Sequence, residues 1–451
     1  MVFELSRLVE LCDNVAVICL LAYLLTRTKY AKIFVEKKIS AFSILFMSVI
    51  GGLLYIYGVF TGVAIGPYYI SIQVIGPVIA GIISGPFAGL FAALIGISLQ
   101  NITGYEIEQG ELLVTVISGI IGGLFRYLKK QEYIKVRYIF LLGCIIGFMQ
   151  FFAGVRGIQP NILDKGEVLE GALDLFVPVI TGLCIFVFII NNLRTEEEIN
   201  RKTLHLEGEL QAARKIQLGS LPAPEHEWER VSVAASLIPA SYIGGDLYDY
   251  LALKDGSIYF AIGDVSGKGV PAALLMSSTR SLLRVIIRDN NDPSKIIKEI
   301  NRSFIEDGDT DQFITLIVGF IYPKSGEVRY CNAGHPPPFL LKKNECQILE
   351  TESNLPAGVM PDEEFILHNI TLNPGEDLIL VSDGVTEAES NEEFYGKERV
   401  SKMLEQSDMK YPEEIISGMM ADILSFTCNK QLTDDCTILA IGYLPAKPTK
   451  G

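Results

Sequence analysis

The sequence predicts two fold classes in one chain: an N-terminal all-α membrane bundle and a C-terminal α+β domain with stacked sheets. Three observations carry this. Residues 1–192 are dominated by long apolar runs, whereas residues 193–451 carry charges throughout. Most of the apolar runs reach membrane-spanning length. In the second part, short strand-like runs alternate with amphipathic helices, as sheets packed against helices require. At 451 residues the chain is long enough for two or three domains. Its net charge of −15 argues against nucleic acid as a partner. The eight cysteines are scattered without C-x-x-C spacing and read as free thiols in a reducing compartment.

Apolar helices are expected at about 8–26, 39–61, 68–83, 86–100, 111–128, 138–155 and 172–192. A crossing helix needs about 20 apolar residues, so five of these cross alone. The shorter pair, 68–83 and 86–100, is joined by Ser84-Gly85-Pro86 and reads as two tilted spans or a re-entrant hairpin. The first run lacks a basic leader and a small-residue cleavage site, so it reads as a retained helix. Basic residues cluster in 27–38 and 126–137, Arg194 follows the last run, and 101–111 is acidic. Basic loops favour the cytoplasm. That places the N-terminus outside and residues 193–451 inside a multi-pass protein of the plasma (inner) membrane, in contact with lipid. The glycines of 66–96 either let helices pack closely or line a ligand pocket. Asp13 and Asp174, near the outer ends of their helices, either reach interfacial water or form an outward-facing sensor pocket.

This half resembles the LytS-type five-transmembrane sensor domain. The resemblance rests on "GGLLYIYGVFTG" (51–62) and the repeats of "IGPVIAGIISGPFAGLFAALIG" (75–96). It implies a receptor for an unidentified small molecule, joined to an output domain.

Residues 193–220 are polar and helix-favouring. Ile199, Leu206 and Ala213 repeat every seven residues, with Thr203, Leu210 and Gln217 between them. This weak heptad stripe suggests a parallel coiled coil that makes a homodimer; Gly208 weakens it, and a single solvated helix is the alternative. Pro222 and Pro224 end the helix.

In the soluble part strands are expected at 231–239, 257–264, 313–322, 327–334, 377–384 and 436–444. Helices are expected at 271–289, 293–306 and near 412–427. Four acidic sites then share one context. Asp246 follows Gly244-Gly245, Asp264 follows Gly263, Asp383 precedes Gly384, and Asp434-Asp435 stand just before the last strand. Aspartate beside glycine is an ordinary turn pair. Four such sites at strand ends, with no His or Cys cluster, instead offer oxygen-only ligands that select Mg2+ or Mn2+. Two such ions about 3.5–4 Å apart activate a water for in-line attack on phosphorus.

"GGDLYDY" (244–250), "GDVSGKGVPAAL" (263–274), "NAGHPPP" (332–338), "LILVSDGVTEA" (378–388) and "DDCTIL" (434–439) occur in this order. They resemble the PPM-family protein serine/threonine phosphatases of the SpoIIE/RsbU type. The resemblance covers about residues 221–444. It divides the chain into a sensor at 1–192, a linker at 193–220, a PPM domain at 221–446 and a tail at 447–451. It implies a central β-sandwich flanked by helices. By motif position it implies metal ligands at Asp246, Asp264 (bridging two ions), the Val265 carbonyl, Asp383 and Asp434, with Gly245 and Asp435 supporting them. It further implies two Mn2+ or Mg2+ ions. The implied substrate is phosphoserine or phosphothreonine on a regulatory protein such as an anti-sigma-factor antagonist.

In such phosphatases paired helices form a regulatory switch. Here they correspond to 271–289, with Pro271, Leu275, Leu282 and Leu283, and to 293–306. The 193–219 helix would bias them. His335 reads as a turn residue bonded locally, or as a general acid. Lys268 either meets the substrate phosphate or faces solvent. Two other functions remain open on sequence alone: a small-molecule transporter and a non-catalytic metal-binding scaffold.

Overall fold

The computed structural model describes residues 15–17, 20, 23–24, 39–65, 68–105, 109–128, 135–155, 165–306, 312–343, 345–350, 354–406 and 409–446. The chain divides into two compact units, Met1–Leu204 and His205–Gly451.

In the first unit, helix α1 (Ala41–Phe60) opens on a reciprocal cap in which Ser40 and Ser43 each accept the other's backbone N–H. A short hairpin follows, β1 (Val63–Ile65) with β2 (Tyr68–Ile70), then α2 (Ile75–Ser84), α3 (Pro86–Thr103), α4 (Gln109–Leu128) and α5 (Val136–Val155). The helix expected at 68–83 therefore starts only at Ile75. Its first residues, Tyr68-Tyr69-Ile70, are strand formers and pair with Val63–Ile65. At ten residues α2 rises about 15 Å, half the apolar thickness of a bilayer. Gly85 adopts φ +90, a backbone closed to side-chain-bearing residues, and Pro86 starts α3.

Among the described residues five helices are long and apolar enough to cross a membrane. The last expected span and the linker are one helix, α6 (Lys165–Ser220), with no break at 192–193. The first expected run, 8–26, lies mostly outside the described residues. So do Asp13 and the side chain of Asp174.

The glycine-rich stretch serves packing. A Cβ at Gly89 would overlap the Gly119 carbonyl, and one at Gly76 would overlap the Gly51 carbonyl. Backbones of α3 and α4, and of α1 and α2, thus touch directly. The buried Tyr55 hydroxyl donates to Gln100 Oε1 at 2.6 Å. The Arg126 guanidinium donates to the carbonyls of Ile82 and Ile83, placing a cation at the carboxyl end of α2.

Among the described residues the second unit contains two large antiparallel sheets and one two-stranded hairpin. Strands β3 (Glu225–Glu227), β4 (Val231–Ile238), β5 (Asp246–Ala252) and β6 (Ile258–Val265) lead into helices α7 (Val270–Ile286) and α8 (Pro293–Glu306). Then come β7 (Ile314–Tyr322), β8 (Glu327–Ala333), β9 (Phe339–Lys342), β10 (Glu345–Ile348), β11 (Leu367–Thr371) and β12 (Glu376–Val381). A helical turn α9 (Asp383–Thr386), a two-residue hairpin β13 and β14 (Glu389–Ser390, Glu393–Phe394), α10 (Lys397–Glu405), α11 (Pro412–Phe426) and β15 (Cys436–Tyr443) complete it. One sheet has the order β10-β9-β12-β15-β4-β3 and the other β11-β8-β7-β6-β5.

Alternation along the strands explains the layers. Tyr248, Tyr250, Phe260 and Ile262 meet Leu439 and Ile441 between the sheets. Leu247, Tyr259 and Ala261 face the other way, onto Met276, Leu283 and Ile296 of α7 and α8. The outer face of the six-stranded sheet packs on α11 through Ile415, Met419 and Ile423. The result is a β-sandwich with helices on both sides, the class the sequence predicts.

Candidate metal centre

Asp246 begins β5 and Asp264 is the penultimate residue of β6; the two are directly opposed in the antiparallel register. They share the inter-sheet face with Tyr248 and Ile262. From the opposite sheet, Thr437 of β15 donates its hydroxyl to Asp246 Oδ2 at 2.5 Å. The pair therefore sits at one end of the gap between the sheets.

Two loops bring the other carboxylates. Asp383 follows β12 as the first residue of the α9 turn, not the strand continuation expected to 384, and Asp434-Asp435 precede β15. The buried Ser382 ties the loops together. It accepts from Thr437 N–H at 3.0 Å and donates to the Asp435 carbonyl at 3.2 Å. Gly384 is needed because a Cβ there would overlap that carbonyl.

Asp435 faces away from the opening. Its carboxylate accepts from the N–H of Ala240 at 2.9 Å and of Gly245 at 2.7 Å, fixing the Gly244-Gly245-Asp246 turn. The glycines answer to geometry: a Cβ on Gly244 would strike the Asp435 carboxylate. One on Gly245 would stand 2.8 Å from the Val265 carbonyl and 3.3 Å from Asp264 Oδ1.

The electrostatics are those of crowded carboxylates. Burial, then the Asp264 charge, pushes the Asp246 carboxyl well above the usual range; the Thr437 hydrogen bond offsets this only in part. Burial and then Asp383 push Asp264 up to about 7. Asp383 is raised by burial, Glu387 and Asp434. A divalent cation would relieve all three.

The donor set fits hard cations: carboxylate and carbonyl oxygens, with Gly245 leaving room for the approach. Among the described residues no three His, Cys, Asp or Glu side chains converge tightly enough to hold one ion unaided. Mg2+ does not need that, since it keeps several waters and takes one or two carboxylates.

Lys268 lies at the rim, exposed yet engaged. Its Nζ is 2.8 Å from Asp434 Oδ2 and donates to the Thr433 carbonyl at 3.0 Å. It thus occupies a carboxylate rather than projecting freely. His335 is buried, with Nδ1 2.9 Å from the Thr315 hydroxyl and its turn closed by Asn332. Burial pushes it down to about 3, so the ring is neutral, which fits the local-turn reading.

Pro271 opens α7; Leu283 is buried in the α7–α8 core, with Leu275 and Leu282 packed at its margin. Three residues escaped the sequence reading although all three lie inside quoted motifs. Thr437 and Ser382 act as described. Asp249, wholly buried on the outer face of β5, takes a bidentate pair of 2.7 Å bonds from Arg284 and lies 3.5 Å from Arg280. That ties α7 to the strand that carries Asp246.

A pH response follows. Asp264 binds its proton more tightly in the fold (about 7) than at its ordinary value of 3.8. The metal-free fold therefore loses stability as pH rises from about 4 to about 7, and the loss persists above that. Thermal unfolding of the full chain in detergent with chelator, followed by the fluorescence of its single tryptophan, Trp228, should show a melting temperature falling over this window. Added Mn2+ should reverse the fall. A pH-independent melt would refute the clustering.

Residues 254–443 match the family described as Stage II sporulation protein E (SpoIIE), and residues 28–193 match the 5TMR of 5TMR-LYT. Protein IcfG of Synechocystis sp. is 30% identical over 286 residues, 57% of this chain and 45% of IcfG. The phosphoserine phosphatase RsbU of Bacillus subtilis is 27% identical over 237 residues, 52% of this chain and 70% of RsbU. The chain thus spans less than half the length of IcfG. The solved PP2C phosphatase domain of SpoIIE from Bacillus subtilis, with a fragment of its regulatory domain, is 25% identical. Its TM-score is 0.44, over 48% of this chain and 64% of that one. Residues 254–443 are thus similar to the SpoIIE family of PPM-type serine/threonine phosphatases, and residues 28–193 to the 5TMR-LYT family.

Proposed function

We propose that this chain is a membrane-anchored receptor phosphatase that hydrolyses phosphoserine or phosphothreonine on a cytoplasmic regulatory protein. The observation that carries it is the opposed pair Asp246 and Asp264, joined by Asp383 and Asp434 from two further loops. Asp246, Asp264, Asp383, Asp434 and the Val265 carbonyl would hold two Mn2+ or Mg2+ ions. When bound, such ions neutralise phosphoryl oxygens and make a water nucleophilic near neutral pH. The protein's own part is positional. Thr437 and Ser382 fix the carboxylates, Asp435 fixes the glycine turn, and Lys268 pairs with the Asp434 carboxylate. RsbU is named a phosphoserine phosphatase, which supports phosphoserine as the group hydrolysed; an anti-sigma-factor antagonist or similar small phosphoprotein is the substrate class proposed here.

Control by a membrane signal is supported by the C-terminal end of α6. Gln217, buried there, donates to the Gly244 carbonyl at 2.7 Å and accepts from the Gly244 N–H at 3.3 Å. The linker helix thus grips the turn that presents Asp246. The exposed Ile199 and Leu206 on the same helix suit a coiled-coil homodimer. The basic loops support a cytoplasmic phosphatase domain.

Full-length protein in lipid, given a phosphoserine peptide, is expected to release phosphate with Mn2+ and none with chelator. Gln217→Ala should lower kcat/KM about tenfold, the loss of roughly one buried hydrogen-bond pair. Metal binding without any phosphate release would favour the scaffold reading.

A further inference from the structure

Beside the carboxylate cluster, the segment Leu355–Pro361 displays apolar side chains that no core position claims. It is firmly held. The buried Asn301 of α8 accepts from Gly358 N–H at 2.7 Å and donates to the Met360 carbonyl at 2.8 Å. The buried Asn354 accepts from Ile366 N–H at 2.9 Å and donates to the Glu364 carbonyl at 2.7 Å. Ala357 and Ile314 exchange two backbone bonds of 2.9 Å. Two buried amides and a strand bridge thus fix a loop whose Val359 and Met360 are 45% and 52% exposed.

This loop adjoins the candidate site. A Cβ on Gly358 would lie 3.2 Å from the Gln312 carbonyl. The next residue, Phe313, is 37% exposed and trades two 2.9 Å hydrogen bonds with Ser266. Ser266 directly follows Val265. Phe313, one hydrogen-bonded step from the site, and Val359 and Met360, on the loop bridged to Ile314, therefore expose apolar side chains on neighbouring segments beside the site.

A fixed, exposed apolar rim marks an interaction surface, and its position indicates the occupant. An ordinary protein interface covers about 800 Å2 on each partner, a footprint roughly 16 Å in radius. A phosphoprotein delivering its phosphoryl group to Asp246 and Asp264 must therefore lie over the Ser266–Phe313 contact. We propose that Phe313, Val359 and Met360 dock the protein substrate by apolar side chains flanking its phosphorylated residue. This rests on the phosphatase reading above.

The test uses full-length protein in lipid with Mn2+ and two synthetic phosphoserine peptides of equal length and charge. One carries leucines beside the phosphoserine and the other glutamines. The leucine peptide should have a kcat/KM about tenfold higher, as burial of one such side chain allows. Met360→Glu and Val359→Glu should each bring the ratio between the peptides to about one. The ratio is taken within each variant, so a general loss of activity cancels.

Turnover of p-nitrophenyl phosphate separates the two ideas. Its absence in the wild type refutes the phosphatase. Its presence, with equal kcat/KM for the two peptides, refutes the rim alone. A leucine preference surviving both substitutions overturns the proposal. So does a dimer that Met360→Glu dissociates while the preference remains, because the rim would then serve a second copy of the chain.

Discussion

Asp264→Asn should cut phosphate release from a phosphoserine peptide by on the order of a thousandfold, while the metal-free protein melts higher than wild type. Asp264 is the most crowded of the carboxylates, opposed by Asp246 across the register and pushed up to about 7 by burial and Asp383. On the proposed reading an ion held there would supply several kcal/mol to the transition state, and each ~1.4 kcal/mol is a factor of ten. Asparagine keeps the shape and removes the charge. Catalysis and metal affinity should fall together, and the repulsion that strains the empty site should fall with them. Asp383→Asn should act in the same direction. Phosphate release, Mn2+ titration and Trp228-monitored melting check the three effects. Near-normal turnover in either variant would remove these residues from the mechanism.

Asp249→Ala should destabilise the sandwich by about 3 kcal/mol. That is the lower end for breaking a buried ion pair, because Arg284 is partly exposed. The variant strands Arg280, whose side chain is only 11% exposed, beside a lost carboxylate. Burial already disfavours the charge on Arg280, whereas the bond to Asp249 favours it on Arg284. The triple replacement by Asp249→Leu, Arg280→Met and Arg284→Met should recover most of the loss, since it removes every buried charge at once. Denaturant midpoints read through Trp228 distinguish the two. A single substitution as mild as the triple one would mean that Asp249 does not anchor α7.

The sequence made the glycine–aspartate turns legible because their constraint is local. Gly244-Gly245-Asp246 and Asp383-Gly384 announce tight backbone approaches, and the structure shows which atoms approach. Long buried strands such as β6 and β15 were legible as continuous apolar runs. β5 was not, although it carries Asp246: "DLYDYLA" alternates tyrosine with aspartate and resembles a polar surface. Only the fold reveals that Asp249 meets two arginines about thirty residues further on. The hairpin at 63–70 hid inside an apolar stretch, where periodicity does not separate a short strand from a helix. Gln217 was indistinguishable from its polar neighbours, since its partner is the backbone of Gly244.

Because strands alternate sides, a slip of β5 by a single residue would swing the carboxylate of Asp246 out of the cleft and carry Asp249 in. Thr437 would lose its acceptor, and the arginines of α7 would face tyrosine. Such a misthreaded molecule would lack the carboxylate pair that the proposed ions require. On the proposed reading, metal uptake would double as proofreading: only correctly assembled chains would become competent, and bound ions would help to lock the arrangement that admitted them.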